Sequence, residues 1–189
     1  MELCDMKHIT ALLHQYLDAY PDLYDLVYRH SRQVADAALA LAAPLPSGSV
    51  DRVFIEEAAL LHDIGVFQTN APKIRCTGSY PYICHGYLGR ALLEKEGLPK
   101  HALVCERHTG TGLTQDDIVR QGLPLPVRDM MPISLEEELI CFSDLFFSKS
   151  QTSRPKTVQE VREGVKRYGD AGLMRFDRWC ERFGASHLF

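Results

Sequence analysis

The sequence predicts an all-α fold, a helical bundle built as a single domain. Three observations carry that expectation: apolar residues recur at helical spacing along almost the whole chain, no alternating strand-like run is bounded by turn residues, and Asp, Ser and Thr caps stand where the helical stretches begin. A first helix over residues 6–19 buries Ile9, Leu12, Leu13, Tyr16 and Leu17, and Pro21 ends it. A longer one over 22–43 carries Leu23, Leu26, Val27, His30, Val34, Ala37, Ala38 and Leu41 on one stripe, so one member of an apolar face is a histidine.

Asp51 caps a third helix that reaches His62, and Gly65 suits a left-handed exit from it. A loop over 66–82 follows, then helices over 84–96 and 99–108, with Gly97 closing the former and Pro99 fitting the first turn of the latter. Gly110 and Gly112 break the chain after His108. Thr114 with Asp117 opens a small helix that Gly122 stops, and 123–133 is a Pro-rich connector. Ser134 with Glu137 makes a capping box for a helix through Phe147, and Thr157 with Glu160 makes another for 158–168. A last helix buries Leu173, Phe176, Cys180 and Phe183, with Trp179 on the same packing stripe. Residues 1–189 read as one domain, a core over 22–150 with C-terminal helices over 157–184 packed on it.

Composition narrows the function classes. The 189 residues are 46% hydrophobic and 24% charged, which excludes disorder, collagen and a disulfide miniprotein. The least polar stretch, Ala37 to Leu45, is nine residues long, whereas a spanning helix needs about 20, so no membrane segment is expected. Met1-Glu2-Leu3-Cys4-Asp5 lacks the basic start of a signal peptide, and the expected location is the cytoplasm. Cys4, Cys76, Cys84, Cys105, Cys141 and Cys180 contain no Cys-x-x-Cys pair and read as reduced, mostly packing residues. A formal charge of −4 offers no global basic field, so no nucleic-acid partner is expected and any anionic substrate must be held locally.

The sharpest local signal is Leu60-Leu61-His62-Asp63-Ile64-Gly65. Neighbouring side chains inside a helix point about 100° apart, but at a helix terminus both can turn to one point. Imidazole nitrogen beside carboxylate oxygen suits a borderline divalent metal. Taken singly, such a pair is an ordinary cap or ion pair, and His30 alone is an ordinary core histidine. Asp144 is harder to dismiss, because its neighbours at helical spacing are Ile140, Cys141, Phe147 and Ser148, and a carboxylate on an apolar face needs a cation or strong hydrogen bonds. His85 begins a helix whose inward face runs through Leu88, Gly89 and Leu92, and His108 ends one above Val104 and Cys105. His8, His14, His101 and His187 carry no comparable pattern.

His30, then His62-Asp63, then Asp144, in that order on an all-α chain, resembles the HD-domain superfamily of metal-dependent phosphohydrolases, and Ile64-Gly65 gives its HDIG form. Cys84-His85-Gly86 and Arg107-His108-Thr109-Gly110 resemble the subset that binds two metals, which includes the HD-GYP phosphodiesterases and the diadenosine-tetraphosphate-cleaving HD proteins. The likeness covers residues 22–150. It implies an HD-domain helical bundle with a dinuclear centre: His30, His62, Asp63 and Asp144 on one metal, Asp63 bridging to a second held by His85 and His108, and a solvent hydroxide between the metals as nucleophile. His62 and Asp63 are then the catalytic pair, and the cofactor is two divalent ions, iron, manganese or zinc, with magnesium or nickel as further candidates.

The chain departs from the family pattern in two places. Val66 and Phe67 stand where many HDIG proteins carry a lysine, and Gly86-Tyr87 lacks the proline of the cyclic-dinucleotide enzymes. Another cation must orient the phosphate, and the candidates are Lys73, Arg75, Arg107 and Lys149, with Ser148 sharing a helix face with Asp144. The expected partner is a small phosphate substrate such as a nucleotide, on a monomer or homodimer. The alternatives are a non-catalytic nucleotide-binding HD signalling module and an HD-type di-iron oxygenase.

Overall fold

Amphipathic stretches punctuated by cap and break residues become nine α-helices in a computed structural model that describes residues 6–149 and 154–184. They are α1 (Met6–Leu17), α2 (Pro21–Ala42), α3 (Arg52–Leu61), α4 (His85–Lys95), α5 (Pro99–Arg107), α6 (Gln115–Gln121), α7 (Leu135–Asp144), α8 (Val158–Lys166) and α9 (Asp170–Phe183). The expected all-α class holds. Cys4 and His187 lie outside the described residues.

Several boundaries differ from expectation for identifiable reasons. Pro21 opens α2 rather than ending α1, because a first-turn proline loses no helical hydrogen bond, and α1 has already stopped at Leu17. The Ser134 hydroxyl accepts from the Glu137 backbone N–H, but Glu137 turns its carboxylate to the Ile133 N–H and to Arg107, so only half of a capping box forms and α7 ends at Asp144. Both halves form at Thr114 with Asp117 and at Thr157 with Glu160. The loop after α3 is not irregular throughout. It contains β1 (Thr69–Ala71), β2 (Cys76–Thr77) and β3 (Tyr80–Pro81), ordered β2-β1-β3, with β1 antiparallel to β2 and parallel to β3. Strands of two or three residues are too short to show a periodicity of two.

Apolar side chains gather into two cores. One joins Val34, Ala38 and Leu41 of α2 to Phe142 of α7 and to Phe176, Trp179 and Phe183 of α9, and Phe142 packs edge-on to Trp179. The other joins Ile9, Leu13 and Leu17 of α1 to Val27 of α2, Leu61 of α3, Leu93 of α4 and Ala102 of α5. The helices that cross between them change allegiance part-way. Val27 belongs to the second core and Val34 to the first, with His30 between them; Ala59 belongs to the first and Leu60 to the second, just before His62. Polar residues on these helices therefore meet at the seam.

Gly65 is not a left-handed exit. It lies inside a 3-10 turn (Ile64–Gln68) and is absent from the positive-φ glycines, which include Gly97, Gly110, Gly112 and Gly122. Its small size is used for proximity instead: a Cβ there would stand 2.3 Å from the His85 carbonyl oxygen and 2.4 Å from the Gly89 nitrogen. At Gly97, where φ is +75°, a Cβ would meet nothing within 4 Å. Gly65→Ala is expected to lower stability by about 3 kcal/mol, because main chain must move, and Gly97→Ala by about 1 kcal/mol, the cost of a left-handed alanine. Parallel urea denaturations test this, and equal losses would remove the close approach as the reason for Gly65.

His101 of α5 and Glu57 of α3 form a buried clamp, Nε2 to Oε2 at 3.1 Å, with Phe54 edge-on to the imidazole. Burial, with Lys100 next door adding to it, pushes the His101 imidazole down to about 4, so the folded protein keeps it neutral and the ring N–H donates to Glu57. The unfolded chain takes up a proton near the ordinary value of 6.5 that the folded chain refuses. The His101 contribution to stability is therefore lost as pH falls from about 6.5 toward about 4. Chemical denaturation across that range should show the loss in the native chain and a flatter profile in His101→Gln.

Candidate metal centre

Helix ends build the site. His62 is the C-cap of α3 and Asp63 stands before the 3-10 turn, so the backbone changes pitch between them and both side chains reach one point. His85 opens α4, His108 caps α5, and Asp144 is the last residue of α7. His30 alone comes from mid-helix. Three of the four imidazoles are oriented alike. Nδ1 of His62, His85 and His108 lies 2.6, 2.7 and 2.7 Å from the carbonyl oxygens of Ala59, Tyr82 and Cys105, each three residues earlier. Donation from Nδ1–H fixes the tautomer and leaves the Nε2 lone pair facing inward.

The two oxygens of Asp63 face different partners. Oδ2 lies 3.3 Å from His30 Nε2 and 3.2 Å from His62 Nε2, and Asp144 Oδ1 is 2.9 and 3.6 Å from the same two nitrogens. Oδ1 lies 3.4 Å from His85 Nε2 and 3.6 Å from His108 Nε2, and those nitrogens are 2.9 Å apart. Adjacent ligands on an ion with bonds of roughly 2.1 Å stand about 3.0–3.4 Å apart. One group, His30, His62, Asp63 and Asp144, and a second, Asp63, His85 and His108, thus have the separations of two coordination shells sharing a carboxylate. His62, Asp63 and His108 also fall within 4.8 Å of one another, which keeps the two groups adjacent.

The donor set fits divalent ions. Nε2 of His62 and Oδ1 of Asp63 are buried with no hydrogen-bond partner among the described residues, while Asp63 Oδ2 meets the Lys149 ammonium and His30 Nε2 meets Asp144, an arrangement that cations complete. Electrostatics agree. Burial opposes charge on Asp63, yet Lys149 and His62 hold its carboxyl well below the usual range, and His30 and His62 do the same for Asp144. Burial likewise opposes charge on His62, but Asp63 and Asp144 push its imidazole up to about 10, so without an ion a proton occupies the Nε2 position that a cation would take by displacing it. Burial and the neighbouring His108 push His85 down to about 3, so it is a neutral donor. Asp63 is fully enclosed while the Asp144 side chain keeps 17% exposure, which puts the mouth on the Asp144 side.

Of the expected phosphate-orienting residues, the fold brings Lys149 to the cluster. Its Nζ is 2.5 Å from Asp63 Oδ2, with 10% of the side chain exposed. Ser148 is half-buried beside it. Arg107 points away, its Nη1 donating to both Glu137 oxygens at 2.9 and 3.1 Å. Arg75 sits at a left-handed position (φ 63°) and pairs with Asp22, and Lys73 is exposed in the same loop. His8 and His14 are exposed.

Three bracing residues escape a reading of the sequence as a ligand pattern. The Cys105 Sγ–H donates to the Leu61 carbonyl at 3.1 Å, and the Cys141 Sγ–H to the His108 carbonyl at 3.3 Å. Burial pushes both thiols well above their usual range, so they remain donors that tie α5 and α7 to the ligand-bearing turns. Glu106, buried beside His108, is pinned by Arg90 and Arg128. Their places in sequence, Cys105 and Cys141 one turn from His108 and Asp144 and Glu106 next to Arg107-His108, offered a hint, but residue type suggested packing.

A family profile described as HD domain matches residues 27–147, which spans every residue of the two groups. The chain belongs to the HD-domain family. HD domains are the family of metal-dependent phosphohydrolases and bind divalent metals, in agreement with the resemblance carried by His30, His62-Asp63 and Asp144. An uncharacterized protein of Methanocaldococcus jannaschii is 33% identical over 147 residues, 76% of this chain and 78% of that protein. A tRNA (cytidine(56)-2'-O)-methyltransferase of Picrophilus torridus is 32% identical over 150 residues, covering 79% of this chain and 39% of the relative. One of the same name from Thermoplasma volcanium is 26% identical over 166 residues, covering 87% and 42%. This HD chain spans about two fifths of the length of the two methyltransferases it matches. No solved structure matches it. Among the described residues, no helix of the HD domain is long and apolar enough to cross a membrane.

The paired geometry leads to a stoichiometry. Elemental analysis of the HD protein, purified without chelator, is expected to find about two first-row ions per chain, falling to about one in a His85→Ala, His108→Ala variant. One ion in both proteins would remove those two imidazoles from the ligand set.

Proposed function

We propose that this HD protein is a metal-dependent phosphohydrolase that cleaves a phosphate ester or anhydride of a nucleotide or another small phosphorylated metabolite. The observation that supports this reading most is the placement of Lys149 on the shared carboxylate Asp63, at the mouth of the two ligand groups. His30, His62, Asp63 and Asp144 are the proposed ligands of one ion, and Asp63, His85 and His108 of the other. When bound, such a pair supplies an activated solvent nucleophile and charge for the oxygens on phosphorus.

The chain's own residues do the rest. Neutral imidazoles add no charge, so two divalent cations and Lys149 outweigh the carboxylates of Asp63 and Asp144, and the surplus favours an anionic phosphate. Lys149 supplies the cation that Val66 and Phe67 do not provide, and Ser148 is its neighbour at the rim. Both Asp63 oxygens are enclosed, which keeps bulk water from competing for them. Arg107 and Arg75, committed to Glu137 and Asp22, stabilise structure instead.

This reading places the protein in the cytoplasm as a monomer or homodimer with a small-molecule partner. The methylation named for two relatives belongs to chains that extend far beyond the matched stretch. A formal charge of −4 gives this chain no net basic field to attract an RNA backbone.

A panel of nucleoside mono-, di- and triphosphates, dinucleoside polyphosphates and simple sugar phosphates, assayed with manganese, iron or zinc, tests the proposal by phosphate release. Asp63→Ala is expected to lose at least about 1,000-fold in kcat/KM, and Lys149→Met about 100-fold, the scale of one removed charge-stabilising group. Full activity in Asp63→Ala overturns the proposal.

A further inference from the structure

Tyr82 belongs to no ligand group, yet it touches both halves of the site. It follows β3, whose parallel pairing with β1 through Asn70 and Pro81 sets the place where the chain turns into α4. Its carbonyl oxygen accepts from His85 Nδ1 at 2.7 Å, and its ring lies on the His85 ring with centroids 4.7 Å apart and planes 23° apart. The Lys149 Nζ is 5.9 Å from the Tyr82 ring centroid, and burial pushes the phenol up to about 12 with the nearby Lys149 ammonium opposing it. Tyr82 as a whole remains 37% exposed, so it lies at the edge of the site.

A lysine is a point charge on a flexible four-carbon stem, and holding it in one place costs rotamer entropy. Asp63 restrains the ammonium from the buried side. The Tyr82 hydroxyl and the π face of its ring restrain it from the mouth side, while the flat contact with His85 limits tilting of that imidazole. We propose that Tyr82 is a positioning residue of this centre, its ring seating His85 and its hydroxyl holding Lys149 over Asp63 for a phosphate oxygen. The inference rests on the phosphohydrolase reading and adds to it a residue that acts through two others.

The two contacts separate by substitution. Tyr82→Phe keeps the ring on His85 and removes the hydroxyl, whereas Tyr82→Leu removes both. Inorganic phosphate binding to the manganese-loaded full chain, measured by titration calorimetry beside manganese content, reads them apart. Tyr82→Phe is expected to keep the native metal content and to bind phosphate about tenfold more weakly, the scale of one hydrogen bond to a charged group. Tyr82→Leu is expected to lose phosphate affinity and also about one ion per chain.

A double-mutant cycle decides whether the effect runs through the lysine. In a Lys149→Met background, Tyr82→Phe is expected to change phosphate affinity by less than about twofold, because the group it positions is gone. Undiminished phosphate affinity in Tyr82→Phe overturns the proposal, as does a full additional loss in the Lys149→Met background. Native affinity for inorganic phosphate with weakened affinity for a nucleoside monophosphate also overturns it, since Tyr82 would then be reading the organic part. Failure of the metal-loaded native protein to bind phosphate at all overturns both this inference and the function on which it rests, and that result is distinct from the other three.

Discussion

The buried carboxylate of Asp63 is the constraint around which the molecule is arranged. A carboxylate with no exposure, one of whose oxygens has no hydrogen-bond partner among the described residues, is tolerable only beside positive charge. Lys149 and the surrounding imidazoles meet that requirement in the polypeptide, and divalent ions held by the two proposed ligand groups would add to it. Each residue that serves Asp63 arrives from a different segment: His30 from α2, His62 from the end of α3, His85 and His108 from the facing ends of α4 and α5, and Lys149 from beyond α7.

Two cores instead of one give that arrangement its place. A polar cluster inside a continuous apolar core would interrupt packing, whereas at the seam it occupies a boundary that the helices already cross. Close approach then sets the distances. Gly65 lets its turn lie against the His85 carbonyl and Gly89, and Gly89 in turn admits the Cys105 sulfur, so α4, α5 and the turn after α3 close on one another. Thiol donors from Cys105 and Cys141 bond to carbonyls of the same turns, and the i−3 carbonyls fix three imidazole tautomers. The precision of the site comes from backbone groups at helix ends, which are free to bond because no further turn follows them.

Much of this was legible in one dimension. Caps at Asp51, Thr114 and Thr157 marked helix starts because a short polar side chain satisfies N–H groups that no earlier turn can reach. His30 and Asp144 stood out because polar residues on apolar faces are expensive. Less legible were the strands beside Tyr82, too short for a pattern, and the reason for Gly65, which looks the same in sequence whether it serves a positive φ or a close contact. Among the candidate cations Lys73, Arg75, Arg107 and Lys149, the sequence favoured Lys149 through its place next to Ser148 on the Asp144 helix face, but charge type says nothing about direction.

The sequence by itself determined the helical class, most helix starts, the HD-type order of His30, His62-Asp63 and Asp144, and the extra pair His85 and His108, because periodicity, caps and residue chemistry are local. Tertiary structure alone decided which oxygen of Asp63 faces which imidazoles, which lysine reaches that carboxylate, and that Tyr82 lies between His85 and Lys149. Those are contacts between segments far apart in the chain, set by how two cores and four helix ends close on one another, and no local pattern encodes a distance across such a seam.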